Sequence, residues 1–94
     1  MGFLEQSQRV LDEVYRTFGF QSLYSDGVST YDVTLIQDKS YVVEQADMLV
    51  YKVRSSELDR VGSGATLTID GVVKDILMHQ SSEDALEILI GVRR

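Results

Sequence analysis

The chain has 94 residues, of which 44% are hydrophobic and 26% charged, a composition typical of a folded globular domain and not of a disordered segment. It contains no cysteine, which excludes disulfide bonds and thiolate zinc sites. Nine basic residues against fifteen acidic ones give a formal charge of -6, and such a chain repels phosphate backbones unless its bases cluster. We expect one domain, residues 1–94, with one modest hydrophobic core.

Membrane insertion and secretion are not indicated. No apolar run approaches the roughly 20 residues that span a bilayer. Glu5 interrupts the first apolar stretch, so the pattern of a signal peptide is missing. We therefore expect synthesis in the cytosol. Within the domain we predict a helix over residues 1–19, a β region over 20–92 and a short tail at 93–94.

The first predicted element is an amphipathic helix over residues 3–18, in which apolar side chains recur with a period of 3.6 residues. Gly19 is predicted to end the helix, because glycine adopts the left-handed conformation at little cost. The apolar stripe should pack on the domain's own sheet, on a neighbouring subunit, or partly on both. It consists of Phe3, Leu4, Val10, Leu11, Val14, Tyr15 and Phe18.

Beyond Gly19 the apolar period shortens to two, which predicts two strands. Ser25, Asp26 and Gly27 are expected to form the turn between them, because Asp and Gly together readily supply positive φ angles. In the second strand Tyr31, Val33 and Leu35 share one face.

The next segment, residues 37–47, is polar at both ends with a β-branched middle. It is either an extended, mobile binding loop or a loop that contains a short strand at 41–43, and the sequence leaves both open. As a binding loop it would offer these candidate partner-binding residues: Asp38, Lys39, Ser40, Tyr41, Glu44 and Gln45.

The C-terminal half reads as four strands separated by turns. Ser56 and Asp59 have capping-box spacing in a helical turn over residues 55–60. Asp70 and Gly71 give the strongest hairpin signal of the chain. The predicted strands cover residues 48–54, 65–69, 72–78 and 86–92, with a polar loop at 79–84.

The chain ends on a basic pair, Arg93 and Arg94, just past the last predicted strand. This pair is either a disordered tail or a small basic contact for an acidic neighbour. Arg93 and Arg94 therefore join the loop residues as candidate partner-binding positions.

Together these elements predict a mainly β (α+β) fold. About six to seven short strands, with a turn about every ten residues, favour a small antiparallel β-sandwich or barrel that carries an N-terminal α-helix.

No catalytic, metal or cofactor site is indicated by the residues. The single histidine, His79, lies in a polar stretch and can form neither a multi-histidine metal site nor a convincing catalytic dyad. The glycines at 62 and 64 lack the following Lys and Ser or Thr of a phosphate-binding loop. We therefore expect no enzyme activity, no metal and no cofactor.

A binding module is the main alternative from another class. Five tyrosines and three phenylalanines could stack the bases of single-stranded nucleic acid in an OB-like barrel, or the fold could bind a peptide in a PDZ-like manner. Base stacking also needs a positive groove, for which Lys52 and Arg54 are the candidates.

The order of features from Leu49 onward carries a resemblance. An apolar strand ends in the basic residue Arg54, and a polar turn over 55–58 and Gly64 follow. A strand-turn-strand unit centred on Asp70 and a closing strand over 86–91 complete the series. This order resembles the head-tail joining proteins of tailed bacteriophages, the head-completion or stopper proteins of the lambdoid type, over nearly the whole chain.

The resemblance implies a structural virion protein of a phage or prophage. Such a protein is added after DNA packaging, closes the head and presents a platform to the tail. It implies a monomer when free and a ring, commonly of six copies, on assembly. The implied partners are the portal or adaptor ring and tail proteins, with no membrane and no sequence-specific nucleic acid. The implied location is the virion, and the host bacterial cytoplasm during assembly. A tail-completion protein of the same small β fold is the alternative within this class.

Overall fold

The helix and the strands follow the predicted order. A computed structural model describes residues 3–38 and 48–93 of the chain. In these ranges the elements are α1 Phe3–Phe18, β1 Phe20–Ser25, β2 Thr30–Gln37, β3 Met48–Arg54, β4 Thr66–Ile69, β5 Val72–Ser81 and β6 Glu87–Arg93. The strands form a closed antiparallel barrel in the order β1-β2-β3-β6-β5-β4. The predicted fold class, a small β barrel with an N-terminal helix, is confirmed.

The barrel closes at the seam between β1 and β4, where Leu23 is paired with Thr68 and Tyr24 with Leu67. The hydroxyl of Ser22 donates a hydrogen bond of 2.6 Å to the carbonyl of Thr68 across this seam. Since Ser22 is buried, that bond also satisfies its polar atom.

The interior of the barrel is apolar because alternate side chains of every strand point inward. The strand positions predicted to share a face, such as Tyr51 and Val53 of β3, lie together in this core. Its buried members are Tyr24, Val33, Leu35, Tyr51, Val53, Leu58, Ala65, Leu67, Ile69, Ile88, Ile90 and Val92.

The β4–β5 turn formed as its sequence predicts, and the β1–β2 turn did so only in part, since Ser25 lies in β1 and only Gly27 of the predicted residues has a positive φ. Asp70 and Gly71 have φ angles of 52° and 79°, so both central residues of the β4–β5 hairpin are left-handed, as in a type I′ turn. In the β1–β2 turn, the Asp26 carboxylate accepts hydrogen bonds from the backbone N–H of Val28 at 3.0 Å and of Ser29 at 2.8 Å. This turn extends beyond Gly27.

The segment between β3 and β4 closes one end of the barrel. Its first turn starts one residue before the predicted one, because the N–H groups of Glu57 and Leu58 donate to the carbonyl of Arg54. Leu58 inserts into the core, and the N–H of Gly62 donates to the Tyr24 hydroxyl at 2.8 Å. The segment therefore replaces solvent as the hydrogen-bond partner of a core tyrosine.

Two predicted boundaries were wrong. His79, predicted in a loop, lies in β5 and is paired with Ile90, because β5 continues along β6 to Ser81 after a bulge between Ile76 and Met78. Arg93, predicted in the tail, is the last residue of β6 and is paired with Met48. Polar side chains do not end a strand whose backbone still has a partner.

Gly19 ends the helix for a reason other than the predicted one. Its φ is not in the left-handed region. Instead, a Cβ at this position would lie 2.5 Å from the carbonyl oxygen of Tyr15 and 2.5 Å from Cγ2 of Thr34. Glycine is therefore required here both by the Tyr15 carbonyl of the helix itself and by the Thr34 side chain of β2.

We predict that Gly19→Ala destabilises the fold by about 1–3 kcal/mol, because the added methyl group meets backbone that cannot move aside. Gly91→Ala is the matched control, since its Cβ would meet the flexible side chains of Met48 and Met78. Urea unfolding of both variants measures the difference. A cost for Gly91→Ala that equals or exceeds that for Gly19→Ala would contradict this interpretation.

Candidate interaction surfaces

The candidate binding residues predicted in the 37–47 loop lie at the start of that loop or outside the described residues. Asp38 directly follows β2, and its N–H donates to the carbonyl of Val50 at 2.8 Å, which extends the pairing of β2 with β3 by one bond. Those outside the described residues are Lys39, Ser40, Tyr41, Glu44 and Gln45.

Of the predicted basic pair, Arg93 has an exposed side chain at the end of β6 and Arg94 lies outside the described residues. The carbonyl of Arg93 lies 3.4 Å from the Nζ of Lys74. Arg93 is therefore held by its strand, and the prediction of a disordered tail does not apply to it.

Helix α1 is attached to the outer wall of the barrel by Tyr15. This side chain is buried, its hydroxyl donates a 2.7 Å hydrogen bond to Glu87 of β6, and the guanidinium of Arg54 lies 5.1 Å from the centre of its ring. The ring contact is a cation–π interaction. One side chain of α1 thus contacts two neighbouring strands.

Arg54, the last residue of β3, connects three parts of the chain. It forms ion pairs with Asp12 of α1 at 2.9 Å and with Glu57 of the following turn at 3.0 Å. Glu57 in turn accepts a 2.9 Å hydrogen bond from the backbone N–H of Thr34. That N–H lies just beyond the pairing of β2 with β3, so no carbonyl of β3 accepts its hydrogen bond. The Glu57 carboxylate accepts it instead.

These contacts settle what Arg54 does within the chain. Its guanidinium is held by two carboxylates, so it is not available for the nucleic-acid groove in which Lys52 and Arg54 were the candidates. The sequence signal for this network is weak, because its members come from four separate segments.

Burial and hydrogen bonds shift the pKa values of Tyr15 and of two turn carboxylates. Burial, and then the hydrogen bond to Glu87, raise the pKa of Tyr15 far above its ordinary value of about 10. The backbone N–H groups of Ser29 and Val28 lower the pKa of Asp26. The Ser82 hydroxyl, followed by the N–H of Leu86, lowers the pKa of Asp84. The lowered pKa values keep the carboxylates of Asp26 and Asp84 ionised to a lower pH than usual.

The predicted apolar stripe of α1 divides into two. Tyr15 is buried and Leu11 is half-buried against the barrel, whereas Val10, Val14 and Phe18 remain exposed at 66%, 39% and 72%. These three residues are spaced by four and form one row along the helix. We call this row the helix ridge.

A second exposed surface, in which three apolar side chains lie beside Thr68 and Asp75, is on the barrel itself. Leu23 of β1, Thr68 of β4 and Val73 of β5 are direct neighbours across three strands. Leu23 and Val73 are exposed, as is Leu77 further along β5. We call the surface formed by Leu23, Thr68, Val73 and Leu77 the β-wall.

Chemical sites and known relatives add no further assignment. Among residues 3–38 and 48–93, no three His, Asp or Glu side chains are placed to hold a metal ion. Within the same ranges no helix is long and apolar enough to cross a membrane. Comparisons with protein-family models, with curated proteins and with solved structures gave no match to this chain.

We predict that Glu57→Ala destabilises the fold by about 2–3 kcal/mol, because it leaves the half-buried N–H of Thr34 without an acceptor and removes an ion pair of Arg54. Asp12→Asn is the control. It should cost less than about 1 kcal/mol, since Asp12 is largely exposed and its replacement can still accept a hydrogen bond. Urea unfolding distinguishes the two, and equal costs would be evidence against the role of Glu57.

We predict that Tyr15→Phe lowers stability by about 1–2 kcal/mol at neutral pH through loss of the bond to Glu87. Above a pH of about 10 the unfolded wild-type chain loses the Tyr15 proton while the native state keeps it, so native stability falls as the pH rises. The variant lacks this loss. The stability gap between wild type and variant should therefore narrow between about pH 9 and 11, measured by denaturant unfolding. A constant or widening gap would show that Tyr15 is not the group responsible.

Proposed function

We propose that this protein is a structural subunit of a phage or prophage virion, a head-tail connector that closes the packaged head and carries the attachment platform for the tail. The resemblance of the sequence to head-tail joining proteins motivates this choice. The structural observation that supports it is the helix ridge, since an exposed apolar row on a helix already docked by its other side is typical of a protein–protein contact.

The charge distribution supports a virion subunit that lies beside the packaged DNA without binding it. At the end of the barrel where β3 finishes, the connecting turns carry four acidic residues and one basic residue, Arg60. The acidic residues are Asp26, Asp59, Glu83 and Asp84. Acidic turns repel phosphate, so DNA could slide past such a surface without being retained.

The distribution of aromatic residues favours this proposal over a nucleic-acid-binding barrel. Tyr15, Tyr24 and Tyr51 are buried, and the rings of Tyr24 and Tyr31 contact each other with centroids 5.2 Å apart. A stacking platform needs exposed rings above a basic groove. Arg54, a candidate for that groove, is bound to carboxylates instead.

In the proposed assembly, the protein is a monomer when free and joins a ring, with six copies as the expected number. It contacts the portal or adaptor ring on one side and tail proteins on the other. Partner-specific contacts would come from the candidate loop residues and the C-terminal basic pair, namely Asp38, Lys39, Ser40, Tyr41, Glu44, Gln45, Arg93 and Arg94. The protein would be found in the virion, and in the host cytoplasm during assembly.

The test is complementation of particle assembly in a host that carries the virion genes but lacks this one. A plasmid supplies the wild-type protein, Phe18→Asp or the control Val28→Asp. Val28 lies on the β1–β2 turn, and its side chain is more exposed than that of Phe18. We expect wild type and the control to give joined particles that contain the protein. Phe18→Asp should give DNA-filled heads and free tails, because a charge on the helix ridge blocks docking.

Electron microscopy and mass spectrometry of the purified particles provide the measurement, and circular dichroism of the purified variants confirms that each is folded. Joined, infectious particles in the absence of the protein would overturn the proposal. So would heads that fail to package DNA, because a connector acts after packaging.

A further inference from the structure

Strand β5 is much longer than its neighbour β4 and has one open edge. β4 pairs with residues 72–75 of β5, and one further bond joins the N–H of Ile76 to the carbonyl of Ala65. β5 then continues to Ser81 with only β6 beside it. The barrel is closed, yet from Leu77 to Ser81 the side of β5 that faces away from β6 has no partner strand.

The alternation of backbone hydrogen bonds shows which groups this edge presents. In antiparallel strands, alternate residues turn both N–H and C=O toward the same neighbour. The N–H of Ser82 donates to the carbonyl of Glu87 of β6 at 2.9 Å, so Gln80 is also turned toward β6. His79 and Ser81 are therefore turned away from β6, and their N–H and C=O groups lie along the open edge.

Nothing in the described part of the chain covers this edge. No side chain there, and no residue of the segment before β4, forms a hydrogen bond with the backbone of His79 or Ser81. The similar gap beside Thr34 of β2 is closed by the carboxylate of Glu57. Native sheet edges are commonly protected by charged side chains, proline or bulges. Residues 77–81 contain no Asp, Glu, Lys, Arg or Pro, and the bulge of β5 lies before the unpaired positions.

We propose that an extended segment of another virion protein adds to the barrel as a strand beside residues 77–81 of β5. Unpaired backbone groups in a row bind the backbone of an extended peptide, and the side chains beside them select its sequence. The open edge is about 16 Å long, which matches about five residues of an extended chain. This inference rests on the proposed function in that the segment comes from a virion protein.

The charges around the edge indicate the chemistry of the segment. Asp75 precedes the unpaired residues, and Glu83 and Asp84 follow them in the turn to β6. Among the described residues, none of these three carboxylates forms an ion pair with a basic side chain. Leu77, at the start of the edge, is 45% exposed. The segment that fits carries basic residues toward its ends and an apolar residue that contacts Leu77.

A second copy of this chain fits the edge less well. Antiparallel pairing of two β5 edges centred on His79 would place Asp75 of each copy opposite Glu83 of the other. Like charges directly opposite each other on neighbouring strands are destabilising. The charges therefore favour a segment of a different protein as the occupant.

Hydrogen exchange of the purified chain, measured by NMR, tests whether the edge is open. The amides of His79 and Ser81 should exchange at least about tenfold faster than that of Gln80 between them, because only Gln80 donates to β6. Equal protection of the three amides would overturn the inference. Protection of His79 and Ser81 that increases with protein concentration would also overturn it, because a second copy would then occupy the edge.

A peptide array identifies the segment. Overlapping peptides that cover the other structural proteins of the virion are probed with the purified chain, and each peptide that binds is then added in solution. Binding should slow the exchange of the His79 and Ser81 amides at least about tenfold and leave that of Gln80 unchanged. A scrambled peptide of the same composition is the control. An array with no binding peptide, or protection confined to other amides, would contradict strand addition at this edge.

A substitution at His79 separates the backbone from the side chain. His79→Pro removes one donor of the edge and no bond to β6, because proline lacks an N–H. His79→Ala is the matched control, since it removes the same side chain and keeps the N–H. We expect His79→Ala to bind the peptide as the wild type does, and His79→Pro to bind it at least about tenfold more weakly.

Circular dichroism establishes whether each variant is folded. Equal binding by the wild type and a folded His79→Pro would show that the edge N–H is not used and would overturn the inference. If His79→Pro does not fold, the exchange measurements on the wild-type chain decide.

These experiments can fail independently of the proposed function, which is tested by complementation in particles. An array with no binding peptide together with positive complementation would remove strand addition and leave the connector function. A peptide that protects His79 and Ser81 together with negative complementation would leave the edge as a peptide-binding site and remove the connector function.

Discussion

The attachment of the helix to the barrel depends on Arg54. Its guanidinium lies under the ring of Tyr15 and binds carboxylates from the helix and from the turn after β3. The ion pair with the exposed Asp12 alone contributes little, but a planar guanidinium with several fixed partners determines the position of all of them. The orientation of α1, and with it the direction in which Val10, Val14 and Phe18 face solvent, follows from this side chain. The exposed helix ridge is therefore positioned by a residue that does not belong to it.

A second constraint is the closed barrel, which leaves α1 no place except the outside. Since the interior is filled by alternate strand residues and by Leu58, the helix can bury one side only. Its stripe is too wide for that contact, and the remainder stays exposed. A solvent-exposed apolar row reduces solubility, and proteins retain such rows where a partner covers them. The connector proposal gives this surface a partner.

Features that depend on neighbours in sequence were predictable. The period-two alternation located β3 with its exact ends, and the Asp70–Gly71 pair located its hairpin because few residues tolerate two successive positive φ angles. Features that depend on distant partners were not. The extension of β5 through His79 requires β6 beside it, and the close approach at Gly19 requires β2. Arg54 binds Asp12, which is 42 residues earlier in the chain, and Glu57, which is three residues later. No sequence spacing predicts that these three side chains come together. The β-wall likewise emerged only when the strand pairing showed that side chains of β1, β4 and β5 are neighbours.

The bond between Tyr15 and Glu87 also has a consequence for how the chain acquires its structure. These residues are 72 positions apart, so α1 leaves the ribosome well before β6 and cannot form this contact until β6 has been synthesised. Contacts between residues so far apart in sequence slow folding. Until they form, the side chains of α1 that later pack on the barrel are exposed to water together with the helix ridge. During synthesis the nascent chain therefore exposes an amphipathic helix with an uncovered apolar surface. Such a surface promotes aggregation of the incompletely folded chain when expression is high.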